Sequence, residues 1–142
     1  VDSAIEMKEK IESCIENYDC LIMAAAVSDF KVKNRKELKI KKQDGIDSLE
    51  LEENPDILKS LIKKENQIFI GFAAETNNLL ENARKKLDKK NLDYIVLNDV
   101  SKKDIGFNSE YNKVSVISKD NILDIERDTK LNIADRILDL IK

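Results

Sequence analysis

Cys20-Leu21-Ile22-Met23-Ala24-Ala25-Ala26-Val27-Ser28-Asp29-Phe30 is the stretch on which the fold turns. Its apolar residues run together without a polar break. That is the pattern of a strand buried on both faces, as in a parallel sheet covered by helices. The run closes in small residues and then a carboxylate. Small side chains let a ligand approach the backbone, and in open α/β sheets ligands sit beyond the carboxyl ends of the strands. Ala24 to Asp29 is therefore a candidate site floor. An ordinary core strand with an exposed aspartate at its end fits this stretch equally well.

Two further runs have the same character: Ile68-Phe69-Ile70-Gly71-Phe72-Ala73-Ala74, and Asp93-Tyr94-Ile95-Val96-Leu97 leading into Asn98-Asp99. Helical patterns separate them. Residues 3–16 carry Ala4, Met7, Ile11, Cys14 and Ile15 at helical period, with Ser3 and Glu6 at capping-box spacing. Asn54-Pro55-Asp56 reads as a helix start: Asn54 as N-cap, Pro55 in the first turn and Asp56 at the positive end of the dipole. Ile57, Leu58, Leu61 and Ile62 give that helix its apolar side. Glu75-Thr76-Asn77-Asn78 leads into a helix reaching about Lys90, with Leu79, Leu80, Ala83 and Leu87 inward. Thr129 caps a last helix with Leu131, Ala134, Ile137, Leu138 and Ile141 inside.

The remaining segments read as loops and hairpins. Residues 31–36 are polar and basic, a loop. Glu37–Lys42 and Asp47–Glu52 alternate polar with apolar about the turn Gln43-Asp44-Gly45-Ile46, which predicts a β-hairpin. It would pack Leu38, Ile40, Leu49 and Leu51 and turn Lys39 and Lys41 outward. A loop from Val100 to Asn112 precedes a closing hairpin at about 113–118 and 121–126. Buried strands alternating with helices give an α/β class. The expected architecture is a Rossmann-like three-layer sandwich with a mostly parallel central sheet and β-hairpin additions.

At 142 residues the chain is expected to form one domain with a real core. Lysines are matched by acids to a net charge of −3, so no basic field points to nucleic acid. No apolar run approaches the length of a membrane span, and the first residues lack a signal-peptide pattern, so the expected compartment is the cytoplasm. Cys14 and Cys20 have neither a C-x-x-C nor a zinc spacing and read as small buried hydrophobes. Histidine is absent, which excludes Ser-His-Asp and Cys-His chemistry and any His-ligated metal within these residues. Chemistry here falls to lysine, carboxylates, asparagine, backbone amides and a hard cation held by oxygen.

Three strand ends, Ala25 to Asp29, Gly71 to Thr76 and Leu97 to Asp99, are predicted to meet at one edge of the sheet as a ligand cleft. Basic groups near it are Lys39 and Lys41 on the hairpin and Lys85, Lys86, Lys89 and Lys90 at a helix end. Lysines late in a helix also complement its dipole, and a charged hairpin also discourages strand aggregation. Beside a polyphosphate such a charge weighs more. At 4 Å a unit pair gives about 4 kcal/mol at an effective dielectric near 20, against about 1 in water. No Walker sequence and no G-x-G-x-x-G occurs.

Taken in order, Ala25-Ala26-Val27-Ser28-Asp29-Phe30, Lys39-Ile40-Lys41-Lys42, Asn54-Pro55-Asp56-Ile57-Leu58, Gly71-Phe72-Ala73-Ala74-Glu75-Thr76, Asn98-Asp99-Val100 and Phe107-Asn108-Ser109 resemble phosphopantothenoylcysteine synthetase over nearly the whole chain. This is the phosphopantothenate–cysteine ligase of coenzyme A biosynthesis. In bacteria and archaea it is usually the C-terminal half of a bifunctional protein, with a flavin decarboxylase upstream in cis that alone holds FMN.

The resemblance implies a magnesium-dependent reaction. CTP, or ATP in some members, activates the carboxylate of 4′-phosphopantothenate; pyrophosphate leaves and an acyl-nucleotidylate forms. The amine of L-cysteine attacks it and releases the nucleoside monophosphate. The resemblance places Lys39 at the family's essential hairpin lysine. It places Asp29, Pro55, Asp56, Ile57, Leu58, Phe72, Lys86 and Lys90 at nucleotide contacts, and Ala25 at the pantothenate part. It also implies a homodimer. Members of the family begin with a strand, a turn of the S-N-x-S-S-G-x-M-G kind, a helix and a further strand. Residues 1–142 lack these, so they are expected to be a shortened synthetase domain with little ligase activity alone. An open apolar edge along residues 20–27 is the expected consequence.

Overall fold

In the computed structural model, which describes residues 1–36, 38–41, 45, 48–75, 78–99 and 109–141, the chain opens with helix α1 (Ala4–Cys14), continued by one 3-10 turn at Ile15–Asn17. Ser3 Oγ accepts from the Glu6 amide at 3.2 Å. The Glu6 carboxylate reaches back to the Asp2 amide at 2.7 Å, one residue earlier than a capping box places it. Strand β1 is Cys20–Met23. A two-stranded antiparallel ribbon pairs β2 (Phe30–Val32) with β3 (Leu51–Glu53). Then come α2 (Ile57–Ser60), β4 (Ile68–Glu75), α3 (Leu79–Lys89), β5 (Tyr94–Asp99), β6 (Tyr111–Ile117), β7 (Ile122–Thr129) and α4 (Lys130–Leu138).

The central sheet has five strands in the order β1-β4-β5-β6-β7. β1, β4 and β5 are parallel, and the β6–β7 hairpin adds antiparallel strands beyond β5. This is the expected Rossmann-like α/β sandwich. One face packs Phe69, Ala73, Ile95 and Leu97 under Ala83 and Leu87 of α3, joined by Ile11 and Ile15 from the first helix. The other packs Ile70, Val96, Val114, Val116 and Ile125 under Ile133 and Ile137 of α4. Alternation along β4 and β5 serves both layers, which is why those strands read as unbroken apolar runs. Thr129 caps α4 as expected, accepting from the Asn132 amide at 3.2 Å. Asn91, at φ 50, closes α3 in the left-handed conformation, with the Leu92 amide on the Leu87 carbonyl at 3.0 Å.

Several expectations are corrected. β1 is not buried on both faces: it is the edge strand, no described strand covers its outer side, and Ile22 is 40% exposed. Residues 31–36 are not all loop, because Lys31 and Val32 belong to β2. The described residues of the expected hairpin, 38–41 and 48–50, are not strands; its outer run pairs from Leu51 with β2 instead. That register sets Lys31 against Glu52 at 3.2 Å and Lys33 against Glu50 at 3.8 Å. No core lies under Leu38, which is 84% exposed, so alternation there has no face to pack. Helix α2 has four residues, its N-cap is Asp56 rather than Asn54, and Ile62 lies beyond it, exposed. Cys14 and Cys20 are half-buried, and burial, with the Asp93 carboxylate adding, pushes the Cys20 thiol up. Glu37, Lys42 to Asp44, Ile46 and Asp47, the link residues Thr76 and Asn77, and Val100 to Asn108 lie outside the described residues.

Polar clamps close the amino ends of the parallel strands. Gln67 donates to the carbonyls of Ile15 and Tyr18 at 2.8 and 2.7 Å and accepts from the Lys64 amide at 2.9 Å, pinning the first helix to β4. Asp93 accepts from Lys63 Nζ at 2.6 Å and from the Phe69 amide at 2.6 Å, tying the start of β5 to β4.

Candidate functional site

Beyond Met23 the chain leaves the sheet, and Ala24 to Asp29 crosses the open end of β1 before entering the ribbon. The ribbon returns at Asn54. Its amide donates to the Asp29 carbonyl at 2.8 Å, and its side-chain Nδ2 donates to the Ser28 carbonyl at 2.9 Å. Pro55 to Leu58 follow at once, so α2 is held against the strand-end segment. Ile57 and Leu58 are buried. Asp56 accepts from the Lys59 amide at 3.4 Å and pairs with Lys90 Nζ at 3.1 Å, joining α2 to the end of α3.

These elements enclose a cavity of ≈ 410 Å³. One wall is Ala25 to Asp29 with Asn54, and a second is Pro55, Asp56, Ile57 and Leu58. Phe72 of β4 and the α3-end lysines Lys86, Lys89 and Lys90 complete it. Spacing of three and four residues sets these lysines on one helix face. Lys90 is compensated by Asp56, and Asp29 adds a second carboxylate. The result is a cationic flank facing a small-residue floor, with an apolar patch from Ile57, Leu58 and Phe72. That combination suits a ligand with an anionic chain and a flat apolar part.

The structure thus brings together Ala25, Asp29, Pro55, Asp56, Ile57, Leu58, Phe72, Lys86 and Lys90 around one space. Lys39 does not line it; it is exposed, on the excursion between β2 and β3. Among the described residues, Leu97 and Asn98 do not line it, and two strand ends, Ala25 to Asp29 and Phe72, meet there with α2 and α3. Lys89 takes its expected place among the basic groups near the cleft, whereas Asn54, read as a helix cap, was not expected as part of the lining. The spacing of Lys89 from Lys86 signals its place, whereas nothing local marks Asn54 beyond its capping preference. A second cavity of ≈ 750 Å³ backs onto the same wall, sharing Ala25 to Ser28 and Asn54 and adding Lys31, Lys33 and Arg35. Among the described residues no group of three carboxylate, thiol or imidazole side chains is gathered to hold a metal, and no helix is long and apolar enough to cross a membrane.

Fold and cavity together define a Rossmann-like α/β protein with a cavity beyond the carboxyl end of edge strand β1. The chain belongs to the family described as the DNA/pantothenate metabolism flavoprotein C-terminal domain, which matches residues 1–142. It is 48% identical over 121 residues to the Coenzyme A biosynthesis bifunctional protein CoaBC of Bacillus subtilis, covering 84% of this chain and 30% of that protein. It is 40% identical over 141 residues to a cysteine/cysteine sulfinic acid decarboxylase from an unknown prokaryotic organism, covering 97% of this chain and 39% of that protein. Among solved structures, the C-terminal domain of Coenzyme A biosynthesis bifunctional protein CoaBC superposes with a TM-score of 0.78 at 36% identity, over 99% of this chain and 62% of that one. The chain therefore spans about a third of the length of these curated relatives and less than two thirds of the solved domain.

Proposed function

We propose that residues 1–142 are part of a phosphopantothenate–cysteine ligase domain and supply its nucleotide site. The observation that carries this reading is the single cavity that gathers Asp29, Pro55 to Leu58, Phe72, Lys86 and Lys90, with Ala25 on its wall. The α3 lysines hold the triphosphate. The apolar patch and the main chain of Pro55 to Leu58 receive the nucleoside, and Ala25 lies against 4′-phosphopantothenate. The substrate carboxylate attacks the α-phosphorus of CTP, pyrophosphate leaves, and the amine of L-cysteine displaces CMP from the acyl carbon. ATP is the alternative nucleotide. Lys39, carried by the excursion between β2 and β3, neutralises charge that builds on the phosphoryl and acyl oxygens. Magnesium enters with the triphosphate, whose oxygens and waters are its preferred ligands, so no protein carboxylate cage is required. FMN belongs to the decarboxylase half of the bifunctional protein, upstream in cis, in the cytoplasm.

Titration of the full-length protein with CTP and magnesium, followed by mass analysis of the product, tests the reading. Replacing Lys86 and Lys90 together by alanine is expected to weaken CTP binding about a hundredfold, about tenfold per solvent-discounted charge contact. Equal affinity in the double variant would remove α3 from the site.

The ribbon favours a homodimer. Lys31 and Glu52 share one face, while Phe30, Val32 and Leu51 share the other with Glu53 at its end, and there Phe30 is 53% and Leu51 58% exposed. An apolar strand face open to water suits a second copy of the same ribbon. Val32→Asp with Leu51→Asp is expected to turn a dimer into a monomer in sedimentation; an unchanged mass would place the contact elsewhere.

A further inference from the structure

We propose that Asn54 is a positioning residue: it fixes the wall Ala25 to Ser28 between the two cavities and so sets the width of the nucleotide cleft. This rests on the reading of the 410 Å³ cavity as the nucleotide site. Three observations converge on the residue. Asn54 is half-buried and lines both cavities. Its side chain and its amide make two separate bonds to consecutive carbonyls, Ser28 at 2.9 Å and Asp29 at 2.8 Å. It also directly precedes Pro55 to Leu58, the opposite wall. One residue therefore connects both walls of the cleft and the base of the ribbon that carries Lys39.

The chemistry requires a donor at this position. The segment from Ala24 to Asp29 has no strand assignment, and its small side chains contribute little packing of their own. A carbonyl of that segment held by a side-chain N–H is restrained at one point, and losing the N–H frees the wall. An aspartate would keep the shape of Asn54 but present an acceptor to the Ser28 carbonyl, so it cannot replace the bond.

The test uses Asn54→Ala and Asn54→Asp in the full-length protein, with Gln67→Ala as a structural control remote from the cleft. Both Asn54 variants are expected to bind CTP about tenfold more weakly, near the value of one hydrogen bond. Their melting temperatures should fall no further than that of Gln67→Ala, which should retain CTP affinity. Unchanged affinity in the Asn54 variants, or an equal loss in Gln67→Ala, overturns the proposal. Hydrogen exchange without nucleotide separates it from the functional reading. Peptides spanning residues 24–32 should exchange about tenfold faster in Asn54→Ala. If the wild-type protein fails to bind CTP, the functional reading falls, while the exchange result still decides whether Asn54 holds the wall: unchanged exchange would sink it.

Discussion

Lys39→Gln in the full-length protein is expected to lower turnover about a hundredfold or more while leaving the melting temperature unchanged. The side chain is exposed, outside the cleft lining, on the excursion between β2 and β3, so its loss removes no packing. The ribbon's base is bonded to the cleft wall through Asn54, and Lys39 belongs to the segment that joins the two ribbon strands. A lysine brought in over the reacting atoms acts mainly on charge that develops during transfer. The loss should therefore appear in kcat, with CTP affinity changed only a fewfold. A variant with wild-type turnover would remove Lys39 from the chemistry. One that lost affinity and turnover in equal measure would make it a ground-state phosphate contact.

The second large effect concerns stability. Asp93→Ala is expected to cost about 3 kcal/mol in urea unfolding. The substitution strands two partners, the Lys63 ammonium and the Phe69 amide, each 2.6 Å from the carboxylate, and Phe69 is fully buried. Lys63→Met removes only the ammonium and leaves the amide satisfied, so a smaller loss of about 1 kcal/mol is expected. Neither residue lines the cleft, and CTP affinity should survive both changes. Equal losses in the two variants would show that the Phe69 amide bond contributes little.

The contrast between elements read correctly and elements corrected has a physical basis. β4, β5 and α3 were legible because their periodic apolar residues pack into the sheet core, and Thr129 caps α4 through a contact only three residues long. The buried face of α4, however, is Ile133 and Ile137, while Leu131, Ala134 and Leu138, expected inside, are exposed. The hairpin was misplaced because alternation measures amphipathicity, not partnership. The run ending at Leu51 to Glu53 alternates equally well whether it pairs with residues 37–42 or with Phe30–Val32. Phe30-Lys31-Val32-Lys33 also alternates, but so briefly that it reads as loop, and in the observed pairing Lys31 and Lys33 meet Glu52 and Glu50. Asn54 likewise has the residue type of an N-cap, but its side chain satisfies the Ser28 carbonyl while Asp56 caps α2.

The residues expected around the cleft came from the family resemblance; taken alone, the sequence determined the α/β class, the three apolar strands and most helix ends. These follow from periodicity, capping and residue order, which act over a few neighbouring positions. Only the tertiary structure decided that the ribbon forms between segments some twenty residues apart, and that Asn54 bonds the strand-end segment instead of capping α2. Those outcomes depend on which distant segments share hydrogen bonds and charge, and no local pattern encodes that choice.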